Sequence, residues 1–436
     1  MKIKITRSEF LLTLLSIILT VIIALGLIRW IAPTLLGISA DLVLVKSDKK
    51  VSPFYENVFL GDHYSSEEFI LQDPIVRVRA KPMFPDIGAL GPNDLLGFRN
   101  SAVPLAADVV VIGDSQTYGN NAVMWENWPH YLQASLPLGT NIYSMATGGW
   151  AALQYKYAFN IAPLFSPEVI VIAFYTGNDA LETYTLAIAS EYWKDLLPAR
   201  DISEYGTPNV AFPAPESERW AVIFADGVKT SFTPKLRHSS NLKHPAIDAG
   251  YEIMHNVARD IARKAQQHKL NVIFTIIPTK EYVYSEKIKQ SKIDIHPDYQ
   301  ALIDDENIRI KEFSALLEGL EGGKYVDVAG VLKKAAMHSV KLYPENSNGH
   351  PIAAGYNVIA SAIAPEVEQY VNPIEDGYYN AESQSGVEKL IYIEDGKYWF
   401  MENIEQLRLN KKPEGINTKK LAGLLYAGHL SVKNND

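Results

Sequence analysis

Five short apolar runs recur between residues 106 and 330, and each ends in glycine, proline or a polar turn. They are "DVVVIG", "NIYSMA" (Asn141 to Ala146), "EVIVIAFY" (Glu168 to Tyr175), "NVIFTIIP" (Asn271 to Pro278) and "KYVDVAG" (Lys324 to Gly330). Each has the length of a strand. Near-continuous runs rich in β-branched residues suit a sheet covered on both faces. Amphipathic segments lie between them. In Tyr251 to Gln267, Ile253, Val257 and Ile261 fall at helical spacing, and Met254, Ala258 and Ala265 widen the stripe. In Ile352 to Val371, Ile359, Ile363 and Val367 share a face. Strand and helix in alternation predict an α/β domain with a mostly parallel sheet. Ligands of such sheets sit beyond the carboxyl ends of the strands.

The chain outside this pattern divides into further segments. Residues 10–28, "FLLTLLSIILTVIIALGLI", carry no charge over 19 positions. At about 1.5 Å per residue they would reach about 28 Å, close to the apolar thickness of a bilayer. Arg29 and Trp30 stand where a signal peptide would be cut, so residues 1–30 are expected to be an uncleaved anchor. Lys2, Lys4 and Arg7 predict a cytoplasmic amino terminus and an extracytoplasmic remainder, periplasmic or at the cell surface. Residues 31–105 are rich in turn signals and read as a stalk or lead-in packed loosely on the main domain, 106–373. Within that domain the alternation fails between about 180 and 246, an expected insertion that could cap a site. Residues 374–436 contain "KLIYIEDGKYWFMEN", a hairpin signal, and predict a small β-rich extension.

Composition excludes several classes. Of the 436 residues, 47% are hydrophobic, ample for a core. The net charge of −9, without a basic block, argues against a nucleic-acid partner. The absence of cysteine excludes disulfides and thiolate metal sites. No histidine pair has metal-ligand spacing, and nothing implies a cofactor.

Four polar stretches fall at one predicted rim. "GDSQTYG", Gly113 to Gly119, follows the first strand. "SMATGGWAALQ", Ser144 to Gln154, follows the second, and "YTGNDA", Tyr175 to Ala180, the third. "NGHPIAAGYNVIA", Asn348 to Ala360, opens the last helix. Each has a plainer reading. Asp114 caps a helix; Gly148 and Gly149 make a strand-to-helix turn; Asn178 and Asp179 make a turn and a cap; His350 is a loop histidine. Lys280 and Glu281, also at the rim, read as a solvated ion pair.

The four stretches, in this order over about 106–371, resemble the SGNH hydrolases, also called the GDSL esterase/lipase family. The apolar amino end, "GFRN" and "IIPTKEYVY" look like a membrane-anchored bacterial branch of it. The resemblance implies a flavodoxin-like three-layer α/β/α sandwich. It implies Ser115 as nucleophile and His350 as general base, with Gly149 N–H and the Asn178 amide joining Ser115 N–H in an oxyanion hole. A serine hydroxyl needs a neutral imidazole within reach to take its proton, and the oxyanion needs donors already in place. Glycine at 149 is expected to let the backbone approach closely.

One position departs from the family. An aspartate usually precedes the histidine by three residues; here Ser347 stands there, then Asn348, and the nearest acid is Glu345. The second block also has Ser144 and Ala146 where asparagine and glycine are frequent. Either Glu345 orients His350, or a backbone carbonyl holds Nδ1 and leaves a Ser115–His350 dyad. The expected activity is ester hydrolysis on an acylated small molecule or a cell-envelope glycan. O-acyl transfer by the same residues, and a non-catalytic envelope binding protein with a decayed site, are the alternatives.

Overall fold

The computed structural model describes residues 69–137, 139–198, 219–237 and 243–371, together with the backbone of four strands between 377 and 434. The expected anchor, the start of the lead-in and the middle of the insertion lie outside the described residues. Among the described residues no helix is long and apolar enough to cross a membrane.

Val109–Gly113 (β3) is buried at every position. It lies between Ile142–Ala146 (β4) and Val169–Tyr175 (β5), both parallel to it. Asn271–Ile277 (β8) and Lys324–Val326 (β9) extend the sheet, also in parallel. The order is β4-β3-β5-β8-β9. Counted along the chain, this is the 2-1-3-4-5 order of flavodoxin-like sheets. The direction in which the chain winds reverses between β3 and β5, and the crevice at such a point is where ligands bind.

Alternate strand side chains supply two cores. Val110 and Ile112 pack with residues of Ala152–Ile161 (α3) and Pro245–His268 (α5), such as Leu153, Ile253 and Val257. Val109 and Val111 pack with Leu132 of Trp128–Ser135 (α2), Leu332 of Val328–Ala336 (α8) and Ile359 of Ala353–Val367 (α9). Helices on both faces give the three-layer α/β/α arrangement expected. Each of these fully buried aliphatic side chains contributes about 1.5–3 kcal/mol.

Within the region read as an insertion, Asp179–Ala189 (α4) is a helix, and Trp220–Ile223 (β6) and Lys229–Phe232 (β7) form an antiparallel hairpin. The carboxyl end contains a four-stranded antiparallel sheet, Gly377–Ser383 (β10), Glu388–Glu394 (β11), Lys397–Met401 (β12) and Leu430–Asn434 (β13), in the order β12-β11-β10-β13. The β11–β12 hairpin is the one read from "EDGK".

The described part of the lead-in does not pack loosely, and this corrects the expectation from its turn residues. Ile70–Asp73 (β1) and Arg77–Ala80 (β2) form a hairpin, and Val76 and Phe98 belong to the main core. Arg99, fully buried, donates to the carbonyls of Gly88, Gly91, Tyr118, Gly119 and Ala122. Asn100 exchanges two hydrogen bonds with the Ser144 backbone, pairing with β4 as an extra strand would. "GFRN" thus fastens residues 84–100 to the loop after Ser115.

Candidate active site

Ser115 opens a single helical turn, Ser115–Tyr118 (α1), directly after β3. The close turn requires glycine at 113, because a Cβ there would stand 2.1 Å from Thr117 Oγ1. Asp114 caps the turn, as expected from its position, accepting from Gln116 N–H at 2.9 Å. The Thr117 and Tyr118 N–H groups donate to the Asp114 carbonyl. Ser115 N–H has no acceptor among the described residues and remains available.

His350 lies 235 positions further on, in the loop before α9, and meets Ser115. Its Nε2 stands 2.8 Å from Ser115 Oγ. The hydroxyl has a second acceptor, Asp114 Oδ2, at 3.3 Å. Its single proton serves the shorter contact better.

The partner of His350 Nδ1 is neither of those expected. Glu345 faces solvent and pairs with Lys341 at 3.2 Å, so it does not orient the ring. Nor does a backbone carbonyl hold Nδ1. The side-chain oxygen of Asn348 lies 2.7 Å from Nδ1 and also accepts the His350 backbone N–H at 2.9 Å. That N–H can only donate, so it identifies the atom facing it as oxygen. Nδ1 therefore carries a proton, and Nε2 presents its lone pair to the serine. Sequence reasoning missed Asn348. The signal was "NGH", since asparagine commonly accepts from the backbone N–H two residues on.

Lys280 and Glu281 hold the loop in place, and this corrects their reading as a solvated pair: both are 0% exposed. Lys280 Nζ donates to the carbonyls of Pro344 at 2.9 Å and Asn346 at 2.6 Å. Glu281 accepts from Thr233 N–H and from Arg237 Nε, the latter at 3.0 Å. Arg237 in turn donates to the Ser347 carbonyl at 3.2 Å and lies against Gly349, where a Cβ would be 2.5 Å from Nη2.

This setting keeps the ring uncharged. His350 is half-buried, and loss of hydration, reinforced by the Arg237 charge, pushes its pKa down to about 3. Burial lowers Lys280 to about 7. Behind the serine, burial raises Asp114 to about 7, and Asp179 is raised by burial and by the nearby Asp114 charge. Asp179 accepts from Tyr175 N–H and the Tyr155 hydroxyl, so it braces the end of β5.

Gly149 and Asn178 follow β4 and β5, the two strands flanking β3, at the rim that carries Ser115. Gly149 is the third residue of a turn closed by Trp150 N–H to the Thr147 carbonyl, with φ +76°. Close approach is not what requires glycine. An added Cβ would meet only Val78 Cγ2, at 4.0 Å, so the requirement is the left-handed backbone. The lead-in supports this turn through Trp150 Nε1, which donates to the Val78 carbonyl at 2.8 Å. Asn178 precedes α4 but its side chain does not cap it, so the amide is not committed to the helix end. Among the described residues no cluster of side chains could hold a metal ion.

No protein-family profile matches the chain, and no curated protein sequence matches it. Solved structures with some likeness include TesA, at 13% identity over 60% of this chain and 99% of that one, TM-score 0.34. A Bacteroides fragilis protein assigned as an acylhydrolase is 16% identical over 60% of this chain and 86% of its own, TM-score 0.31. An Agrobacterium tumefaciens protein assigned as an arylesterase is 12% identical over 61% of this chain and all of its own, TM-score 0.31.

Proposed function

We propose that the chain is a serine esterase of the SGNH type, with Ser115 as nucleophile and His350 as general base. One observation carries the reading: Ser115 Oγ and His350 Nε2 are 2.8 Å apart, with Nδ1 held by Asn348 so that the basic nitrogen faces the hydroxyl. The two contacts support a catalytic site over a decayed, non-catalytic one.

The chemistry follows from the geometry. As Ser115 Oγ attacks an ester carbonyl, Nε2 takes its proton. The Asn348 oxygen keeps the ring oriented but, being neutral, gives the imidazolium little charge stabilisation. Negative charge builds on the former carbonyl oxygen. Ser115 N–H, Gly149 N–H and the Asn178 amide are the donors proposed for it, each worth about 3–4 kcal/mol when preplaced. The imidazolium then protonates the departing alkoxide, leaving an acyl group on Ser115. Water, deprotonated at Nε2, releases the acid; a sugar hydroxyl in its place would carry the acyl group onward. No step calls for a metal or cofactor.

The substrate class proposed is an O-acyl ester on a small molecule or an envelope glycan. The uncharged run at residues 10–28 supports an anchored, extracytoplasmic location. The test is turnover of a model acyl ester by the full-length chain. Ser115→Ala should abolish it, and Asn178→Ala should lower kcat by about 10²–10³ while leaving KM close to native. An unchanged rate in Ser115→Ala would reject the assignment. Product analysis with a glycan acceptor present separates hydrolysis from transfer.

A further inference from the structure

An asparagine can orient a histidine only if its oxygen, not its NH2, faces the ring. A carboxylate has no such ambiguity. The structure shows what sets the choice. Asn348 Oδ1 takes the His350 backbone N–H, and Asn348 Nδ2 donates to Asn121 Oδ1 at 3.0 Å. Asn121 Nδ2 donates in turn to the His350 carbonyl at 3.0 Å. That carbonyl can only accept, so it fixes the orientation of Asn121, and Asn121 Oδ1 then adds to the His350 N–H a second constraint on the Asn348 amide. The two amides and the backbone of His350 close a ring in which each donor meets an acceptor. Reversing Asn348 would set NH2 against both the His350 N–H and Nδ1, and oxygen against the oxygen of Asn121.

Asn121 is held for this task. Its φ is +69°, a left-handed conformation that asparagine tolerates better than most residues. It lies in the segment after α1, where the Arg99 guanidinium holds the carbonyls of Gly119 and Ala122 on either side of it. The arm that carries the nucleophile therefore also carries the residue that orients the base.

We propose that Asn121 is a positioning residue for the general base: it locks the Asn348 amide with oxygen toward His350 Nδ1, and so selects the tautomer that presents a bare Nε2 to Ser115. The inference rests on the Ser115–His350 reading and assigns a role to a residue that touches neither Ser115 Oγ nor a His350 ring nitrogen. Without the Asn121 acceptor only the His350 N–H opposes reversal, and a reversed amide would point its NH2 at Nδ1 and favour the tautomer with Nε2 protonated, which cannot take the serine proton.

A double-mutant cycle tests it, read as the rate at which a fluorophosphonate labels the full-length chain at pH 7.5. Glycine suits the φ of residue 121, so Asn121→Gly removes the amide without backbone strain. In the native background it should slow labelling about 10- to 100-fold, the cost of leaving the amide choice unpaired. In an Asn348→Asp background the same change should cost less than about threefold, because both carboxylate oxygens accept. A residue that merely supported the loop would cost the same in both backgrounds, and that result would overturn the inference. Asn121→Asp separates the two bonds of residue 121. It keeps an acceptor for Asn348 Nδ2 and gives up the donor to the His350 carbonyl, so it should label faster than Asn121→Gly; equal rates would also overturn the inference. Ser115→Ala distinguishes the two levels. If it labels like the native chain, the esterase reading fails; if it does not label and the cycle is additive, only the role of Asn121 fails.

Discussion

Replacing Asn348 by aspartate puts a negative charge where the structure has a neutral oxygen, 2.7 Å from His350 Nδ1. In the native chain the group on Nδ1 is a neutral amide oxygen, while burial and Arg237 hold the pKa of His350 near 3. A carboxylate in hydrogen-bond contact raises a histidine by about 1–3 pH units, equivalent to about 1.4–4 kcal/mol. Arg237 offsets part of this, though its own charge is already met by Glu281 at 3.0 Å. The sign is definite. A base with a depressed pKa stays neutral as the pH falls, so the His350 limb of native labelling by fluorophosphonate should lie below about pH 5, apart from any step near pH 7 that Asp114 and Lys280, both placed near that value, give the native chain and the variant alike. In Asn348→Asp the acid limb should move up into about the pH 4–6 range. The assay is the second-order labelling rate from pH 4 to 8.5, with circular dichroism at each pH to confirm the fold. A native His350 limb with its midpoint near 6.5, the ordinary imidazole value, would refute the electrostatic argument. So would a limb that the carboxylate leaves unmoved.

Other consequences follow from the buried polar groups. Lys280→Met should destabilise the fold by about 3–5 kcal/mol, because the carbonyls of Pro344, Asn346 and Asn348 lose their lysine donor in a buried site; chemical denaturation reads this, and a change under about 1 kcal/mol would contradict it. Glu306 is buried, accepts from Thr176 and Thr279, and is raised by burial to about 7. Its folded pKa lies above its unfolded value, so its contribution is fully present below about pH 4.5 and lost as the pH rises through 7, in all up to about 3 kcal/mol. Glu306→Gln should flatten that part of the stability-versus-pH curve, and an unchanged slope would contradict the assignment. Gly149→Ala has room for its methyl but not the preferred backbone, so it should cost about 1–2 kcal/mol in stability and displace a proposed oxyanion donor. Its melting temperature and turnover should therefore fall together, and a native-like value of either would contradict this account.

The parts of the site legible in the sequence were those written in local pattern. Strand-length apolar runs separated by amphipathic helices located the sheet, and the polar stretches after β3, β4 and β5 located its rim. "GDS" and "GHP" gave the residues that meet, 235 positions apart. What was not legible depended on tertiary contact. The pattern search sought an acid for Nδ1, but the ring needs only an acceptor, and an amide supplies one if something else fixes its orientation. Lys280 and Glu281 looked solvated because charged residues usually are; their partners, backbone carbonyls and Arg237, come from loops 44 to 66 positions away. The lead-in looked loose because proline and glycine mark turns without showing what the turns pack on. Its anchor is Arg99, whose five carbonyl partners no local pattern predicts.

The central claim is that Ser115 is the nucleophile and that His350 makes it one. Mass-spectrometric mapping of the fluorophosphonate adduct on the full-length chain tests it most directly. The account predicts a single adduct on Ser115, none in Ser115→Ala, and labelling slowed at least about 10³-fold in a folded His350→Ala variant. An adduct on another residue, or a His350→Ala variant labelled at the native rate, would contradict it.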